Sequence, residues 1–171
     1  MALGKHQQLL SGRLCDVASG LNGKIVTGIN RIVTIMIYVL FAVIILMSAF
    51  MQYQNNSGTC VRVVLVCSIS FVAVTIFRYI IDEKRPYVVY DFTPLIVKEK
   101  EGQSMPSRHV FSAFVIAMSA LYICIPLGIF MMLLAVIMAF ERVICGVHFP
   151  KDVIAGAVIG IASGIIGFYL I

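Results

Sequence analysis

Five apolar runs divide this chain, and short polar segments separate them. Ile32 to Phe50 is 19 residues without a charge, about 28 Å as a helix, enough to cross the hydrocarbon of a bilayer. A second run goes from Cys60 to Ile81, with Arg62 near its start and Arg78 near its end. Val110 to Ile125 is a third, shorter run, and Pro126 marks a tight turn after it. Leu127 to Cys145 is the fourth and Val153 to Ile171 the fifth. Gln52 to Thr59 reads as a polar loop. Residues 82–108 form the longest polar connection and hold three of the five prolines. The fifth run carries Gly156-x(3)-Gly160-x(3)-Gly164, a spacing that allows close helix packing but also occurs simply because membrane helices tolerate glycine. Residues 1–31 are mixed. Leu9, Leu10, Leu14, Val17, Ala18 and Leu21 recur there at helical spacing, which fits an amphipathic helix lying in the interface or a disordered tail. The expected fold is an all-α integral membrane protein: a bundle of five transmembrane helices (residues 32–171) preceded by an N-terminal amphipathic segment (residues 1–31).

Composition sharpens this picture. Apolar residues make up 61% of the 171 residues and charged residues 12%, against about 25% charge in ordinary soluble domains. Tryptophan is absent, so tyrosine and phenylalanine must supply any aromatic belt. The formal charge of +5 does not imply nucleic acid, because most basic residues flank apolar runs, where they serve topology, lipid headgroups and an anionic ligand. Cys15, Cys60, Cys67, Cys124 and Cys145 form no C-x-x-C pair, and buried free thiols fit better than a disulfide or zinc framework. No cleavable signal peptide is evident in the first 31 residues.

Three polar islands carry the candidate chemistry: Arg78-x(6)-Arg85-Pro86, Pro106-Ser107-Arg108-His109, and Arg142-x(5)-His148-x(3)-Asp152. Counting crossings places all three on one side of the membrane. Charge at membrane depth is costly and marks function by default. Arginine offers planar paired donors to phosphate oxygens, histidine is a nucleophile or proton donor near neutral pH, and a carboxylate can orient a histidine.

Each island also has a plainer reading. Arg78 and Arg85 share a helix face if the second helix reaches that far, converging on one phosphate, or else they snorkel to the interface. Pro106 suits a first helical turn, Ser104 or Ser107 can cap it, and the free N–H groups there attract an anion. His148 and Asp152 can pair if the turn between them becomes helical, or Asp152 can simply cap a helix. No His/Cys/carboxylate cluster has metal-ligand spacing.

In order and internal spacing the islands resemble the type 2 phosphatidic acid phosphatase family, the lipid phosphate phosphatases that share a site with vanadium haloperoxidases. That family reads K-x(6)-R-P, P-S-G-H and S-R-x(5)-H-x(3)-D. The resemblance implies a membrane lipid phosphatase in which His148 is the nucleophile, Asp152 orients it and His109 protonates the leaving oxygen. It implies that Arg78, Arg85, Ser107 and Arg142 hold the phosphoryl oxygens, and that no metal or other cofactor is needed. Three positions depart from the pattern. Arg78 replaces lysine; Arg108 replaces glycine, and either crowds the pocket or adds a cation; Glu141 replaces serine, and its carboxylate could pair with Arg142 or Arg108.

The expected substrate is a lipid monophosphate, such as phosphatidic acid or phosphatidylglycerol phosphate, or an isoprenyl diphosphate. The partners are then that lipid and the surrounding membrane lipids, without nucleic acid, and the oligomeric state stays open. The apolar stretch Tyr87–Val97 is expected to line lateral access for a lipid tail. The alternatives are a catalytically silent family member and a small anion-binding or transport protein; the confinement of polar groups to one face argues against transport. A bacterial cell membrane is the expected location. Lys5, Arg13, Lys24 and Arg31 precede the first run while Gln52–Thr59 is uncharged, which places the site on the cytoplasmic face.

Overall fold

The computed structural model describes residues 23–55, 57–90, 92–96 and 101–170, and those residues contain helices and no strand. The helices are α1 (Gly23–Asn55), α2 (Thr59–Ile81), the short α3 (Pro86–Val89), α4 (Arg108–Ile123), α5 (Ile125–Ile144) and α6 (Pro150–Ile165), which continues as one π-helical turn, Ile166–Leu170. Among the described residues four helical stretches are long and apolar enough to span a membrane, and α4 is a shorter apolar helix. The five expected helices are therefore present. Most of the expected amphipathic segment, residues 1–22, lies outside the described residues.

The apolar runs mark where hydrocarbon lies rather than where helices end. Helix α1 starts at Gly23, nine residues before the uncharged run, and reaches Asn55. No proline interrupts either extension. At about 50 Å it exceeds the hydrocarbon thickness, so it projects beyond the membrane or tilts. The loop expected at 52–59 shrinks to a tight link. There Gln52 Oε1 accepts hydrogen bonds from the N–H groups of Cys60 (3.0 Å) and Val61 (3.2 Å), satisfying donors that the first turn of α2 leaves open.

Helix α4 is the axis of the bundle. Val110, Phe111 and every residue from Ala113 to Ala120 are buried, and α4 packs most extensively against α5 and α6. Helices α1 and α2 bury only a stripe each, with Val33, Ile37 and Ile44 on one and Val63, Cys67 and Val74 on the other. Their outer faces carry exposed residues such as Leu46 and Ile80, as lipid-facing surfaces should. Among the described residues, Cys60, Cys67, Cys124 and Cys145 form no disulfide.

Lipid is as apolar as leucine, so helix association in a membrane depends on close packing rather than on water exclusion. The glycine stripe of α6 supplies it. A Cβ at Gly156 would stand 2.8 Å from the Ser107 carbonyl oxygen, and one at Gly160 would stand 2.8 Å from both the Phe111 oxygen and Phe114 Cβ. The close-packing reading of the stripe is the correct one: backbone lies against backbone, and any side chain would lift α6 from α4. By contrast, a Cβ at Gly28 would meet nothing within 4 Å. Gly160→Val should therefore destabilise the detergent-solubilised protein by about 1–3 kcal/mol through overpacking. Gly28→Ala should leave thermal unfolding unchanged or slightly raised. Equal melting of the two variants would contradict the packing.

Candidate active site

The polar islands meet because backbone hydrogen bonds stitch the segment before α4 to the end of α2. Helix α2 stops at Asp82, whose left-handed backbone (φ 41°) donates its N–H to the Arg78 carbonyl. Aspartate tolerates that conformation better than most residues. The Asp82 side chain then accepts the Gln103 N–H at 3.2 Å. Ser104 N–H donates to the Glu83 carbonyl (2.7 Å) and Arg85 N–H to the Glu101 carbonyl (3.1 Å). Lys151 of α6 pairs with Glu83, which ties the third island to the same segment.

Arg78 does not share a helix face with Arg85, because α2 ends between them and Arg85 is extended ahead of Pro86. Its guanidinium spreads over three backbone carbonyls, those of Gln103, Ser104 and Pro106. Arg78 thus clamps the loop that leads into α4. Arg85 donates from Nε to the Gly102 carbonyl at 3.2 Å and keeps Nη1 buried without a partner. Arg142, near the end of α5 and 3% exposed, likewise has a buried Nε without a partner. Arg78, Arg85, Arg108 and Asp152 lie within electrostatic range of one another, as do Arg85 and Arg142. Buried cations with open donors call for an anion.

The turn between α5 and α6 sets the third island. Gly146 adopts φ 71°, a left-handed position that suits glycine. The N–H groups of Val147 and His148 then both donate to the Arg142 carbonyl at 3.3 Å, fixing His148 against Arg142. Pro150 opens α6, and Asp152 falls in its first turn. Both readings of Asp152 hold together. Its Oδ2 caps the helix by accepting from Phe149 N–H at 3.0 Å, accepts from the Ser104 hydroxyl at 2.5 Å, and lies 3.5 Å from His148 Nδ1. That last separation is an electrostatic contact, longer than a closed hydrogen bond. The Asp152 backbone carbonyl also accepts the Ser107 N–H at 2.9 Å. Asp152 is completely buried and joins the second island to the third. Ser104, expected at most to cap a helix, instead holds the carboxylate; the separation of 48 residues gave no local signal for this.

Ser107 is buried at the start of α4 with its hydroxyl unpartnered, next to first-turn N–H groups that have no intrahelical acceptor. His109 and Arg108 line a cavity of about 150 Å³ together with Phe71 and Ser112. Arg108 does not crowd the buried cluster. It is exposed, with its guanidinium 5.6 Å from the centre of the Phe71 ring. Glu141 pairs with neither Arg142 nor Arg108 through a hydrogen bond; both carboxylate oxygens are buried and unpartnered. In the stretch expected to admit a lipid tail, the Tyr90 ring meets Phe149 edge-on at 5.9 Å, Leu95 N–H donates to the Cys145 carbonyl, and Val89 stays exposed. Among the described residues no group of three His, Cys, Asp or Glu side chains is placed to hold a metal ion.

Taken together these features define an integral membrane protein with buried arginines, a carboxylate-backed histidine and a helix N-terminus gathered at one end of the bundle. The chain belongs to the PAP2 superfamily, whose family model matches residues 58–171. It is 26% identical over 135 residues to undecaprenyl-diphosphatase BcrC of Bacillus subtilis (strain 168), covering 77% of this chain and 68% of that protein. Its fold is similar to the crystal structure of a transmembrane PAP2-type phosphatidylglycerolphosphate phosphatase from Bacillus subtilis, with TM-score 0.75, 22% identity, and coverage of 97% of this chain and 84% of that one. Aquifex aeolicus LpxE is similar at TM-score 0.70 and 25% identity, with 92% of each chain covered.

Burial holds the His148 imidazole down to about 4 from its ordinary 6.5; the Asp152 contact opposes this and the Arg85 cation adds to it. Between those values the unfolded chain takes up a proton that folded His148 refuses. Stability should therefore fall as pH drops from about 6.5 toward 4. Thermal unfolding in detergent at pH 7 and pH 5 should show a smaller loss for His148→Gln than for the unsubstituted protein. An identical loss would place the imidazole in water.

Proposed function

We propose that this chain is a lipid phosphatase that hydrolyses a phosphomonoester or diphosphate of a membrane lipid through a phosphohistidine. The observation that carries this reading is the buried His148–Asp152 contact beside arginine donors that have no protein partner. Asp152 engages Nδ1 of His148, which leaves Nε2 to attack phosphorus. Desolvation keeps that imidazole neutral at physiological pH, the state a nucleophile needs. As the N–P bond forms, the bond to the leaving oxygen breaks, and His109 gives that oxygen a proton. Water then attacks the phosphohistidine, His109 takes its proton, and the N–P bond breaks to release phosphate. Arg85, Arg142, the Ser107 hydroxyl and the first-turn N–H groups of α4 neutralise the equatorial oxygens. Arg78 contributes charge from behind while it holds the loop. Names of the similar proteins support lipid phosphates as the substrate class: an undecaprenyl-diphosphatase and a phosphatidylglycerolphosphate phosphatase.

His148→Ala should reduce phosphate release from lipid phosphates to background while the protein still folds. Asp152→Asn should cost less, roughly 10²–10⁴-fold, because only orientation and charge are lost. Vanadate should inhibit, and a chelator should not. Full turnover in His148→Ala, or loss in chelator that magnesium restores, would remove the mechanism.

We further propose that the site faces the cytoplasm of a bacterial cell membrane. A Cβ at Gly23 would stand 3.1 Å from Leu95, so the N-terminal end of α1, with Lys24 and Arg31, lies on the site's side. The opposite connection carries no charge, which supports a cytoplasmic N-terminal end. With single cysteines at Gln54 and Lys98 in a cysteine-free background, an impermeant thiol reagent on intact cells should label position 54 and spare position 98. The reverse pattern refutes the orientation.

A further inference from the structure

At the end of the bundle away from the polar islands, α2 and α6 part to leave a groove of about 660 Å³. One wall is the stripe Val61, Leu65 and Ile69, successive i, i+4 positions on α2. The other is Ser163 and Ile166 near the end of α6. The two helices touch at the floor, where a Cβ at Gly167 would stand 2.5 Å from Val66 Cγ1. Val61, Leu65, Ile69 and Ile166 are all exposed, so the groove opens to lipid. Arg62 lines it too, half-buried in the first turn of α2. It is the only charged side chain in residues 32–77, 110–140 and 153–171. Among the described residues its guanidinium has no hydrogen-bond or ion-pair partner.

We infer that this groove binds one anionic phospholipid of the leaflet opposite the polar site, with an acyl chain between α2 and α6 and its phosphodiester on Arg62. The groove has the size of a ligand site, about 300–1,000 Å³. An apolar space of that size among lipid tails is filled, because bare walls forfeit dispersion contacts. Water finds too few polar partners on such walls. A second copy of this chain fits badly. Copies inserted the same way bring this same end together, and residues 32–77, 110–140 and 153–171 hold no Asp or Glu. A partner helix would therefore cover Arg62 and bring it no counter-charge, a costly burial. A lipid phosphate brings that charge at interface depth. A headgroup without an ammonium of its own leaves the phosphate wholly to the guanidinium, and the positive end of α2 favours the same charge. The lipid is held rather than turned over, since His148 stands at the start of α6 and the groove at its end. By filling the gap between α2 and α6 it braces the helix whose other end carries Arg78.

The test is native mass spectrometry of the purified full chain released from nanodiscs of dioleoyl phosphatidylglycerol and dioleoyl phosphatidylcholine in equal parts. One phosphatidylglycerol should stay bound in preference to phosphatidylcholine. Arg62→Gln should cut that retention about tenfold, and Arg62→Lys should restore most of it. Ser70→Trp, which fills the groove from its α2 wall, should cut retention of both lipids. Arg108→Gln, which removes an exposed cation at the polar end, should leave retention unchanged. Melting in detergent provides a second readout on folded protein: added phosphatidylglycerol should raise the melting temperature of the unsubstituted chain and not that of Arg62→Gln. Equal retention of the two lipids, retention indifferent to Arg62→Gln, or loss on Arg108→Gln instead would each overturn the inference. So would disulfide-linked dimers of Leu65→Cys in a background without other cysteines, which would put a second copy in the groove.

Discussion

Three guanidinium groups buried at one end of a membrane bundle are the constraint around which this fold is arranged. Arg78, Arg85 and Arg142 are 6%, 4% and 3% exposed, and arginine stays protonated under almost any condition. Like charges this close in a low dielectric repel strongly unless dipoles or anions answer them. Two answers are built in. Carbonyl oxygens of residues 102–104 and 106 take donors from Arg78 and Arg85, and Asp152 supplies a buried negative charge nearby. A third answer is left open, because Arg85 Nη1, Arg142 Nε and the Ser107 hydroxyl have no protein partner. That unmet demand is what the proposed phosphate site draws on.

That demand explains the shape of the core. Helix α4 has only 16 residues, about 24 Å, less than the hydrocarbon thickness. It needs no more length, because its first turn forms the floor of a polar site rather than reaching a membrane surface. Its surroundings are protein, and α6 lies so close that a Cβ at Gly156 would stand 2.8 Å from the Ser107 carbonyl oxygen. The packing and the chemistry therefore share residues. A side chain at Gly156 would move Asp152, four residues earlier on α6, away from Ser104 and Ser107, and with it the support behind His148. Stability in this region comes from backbone proximity, and the same proximity sets the position of His148.

The sequence disclosed the helices and the three islands because both rest on local regularities: long uncharged runs and fixed spacings at their ends. It disclosed less where partners are distant. Arg78 read as a phosphate ligand, yet its donors reach carbonyls 25 to 28 residues away, and no local pattern announces a backbone acceptor. Ser104 was visible only as a cap, although it binds Asp152 across 48 residues. The ends of α1 were misplaced because hydropathy tracks the membrane and not the hydrogen-bond ladder.

The departures at positions 78 and 141 are best understood together. A lysine offers one compact ammonium, whereas the arginine fork can meet several carbonyls of one loop at once. With arginine at 78 the loop before α4 is held by a side chain that has few donors left for substrate. In the proposed mechanism, phosphate binding then falls more heavily on Arg85, Arg142 and the helix N-terminus. At position 141 a small hydroxyl donor is replaced by a buried carboxylate without a hydrogen-bond partner, beside Arg142. An ionised carboxylate there offsets part of the Arg142 charge when no ligand is bound, while a protonated one can donate to an oxygen. In either state it changes how strongly Arg142 is committed to phosphate. Both departures therefore fall on residues around the cations, and the His148–Asp152 contact at 3.5 Å is present alongside them.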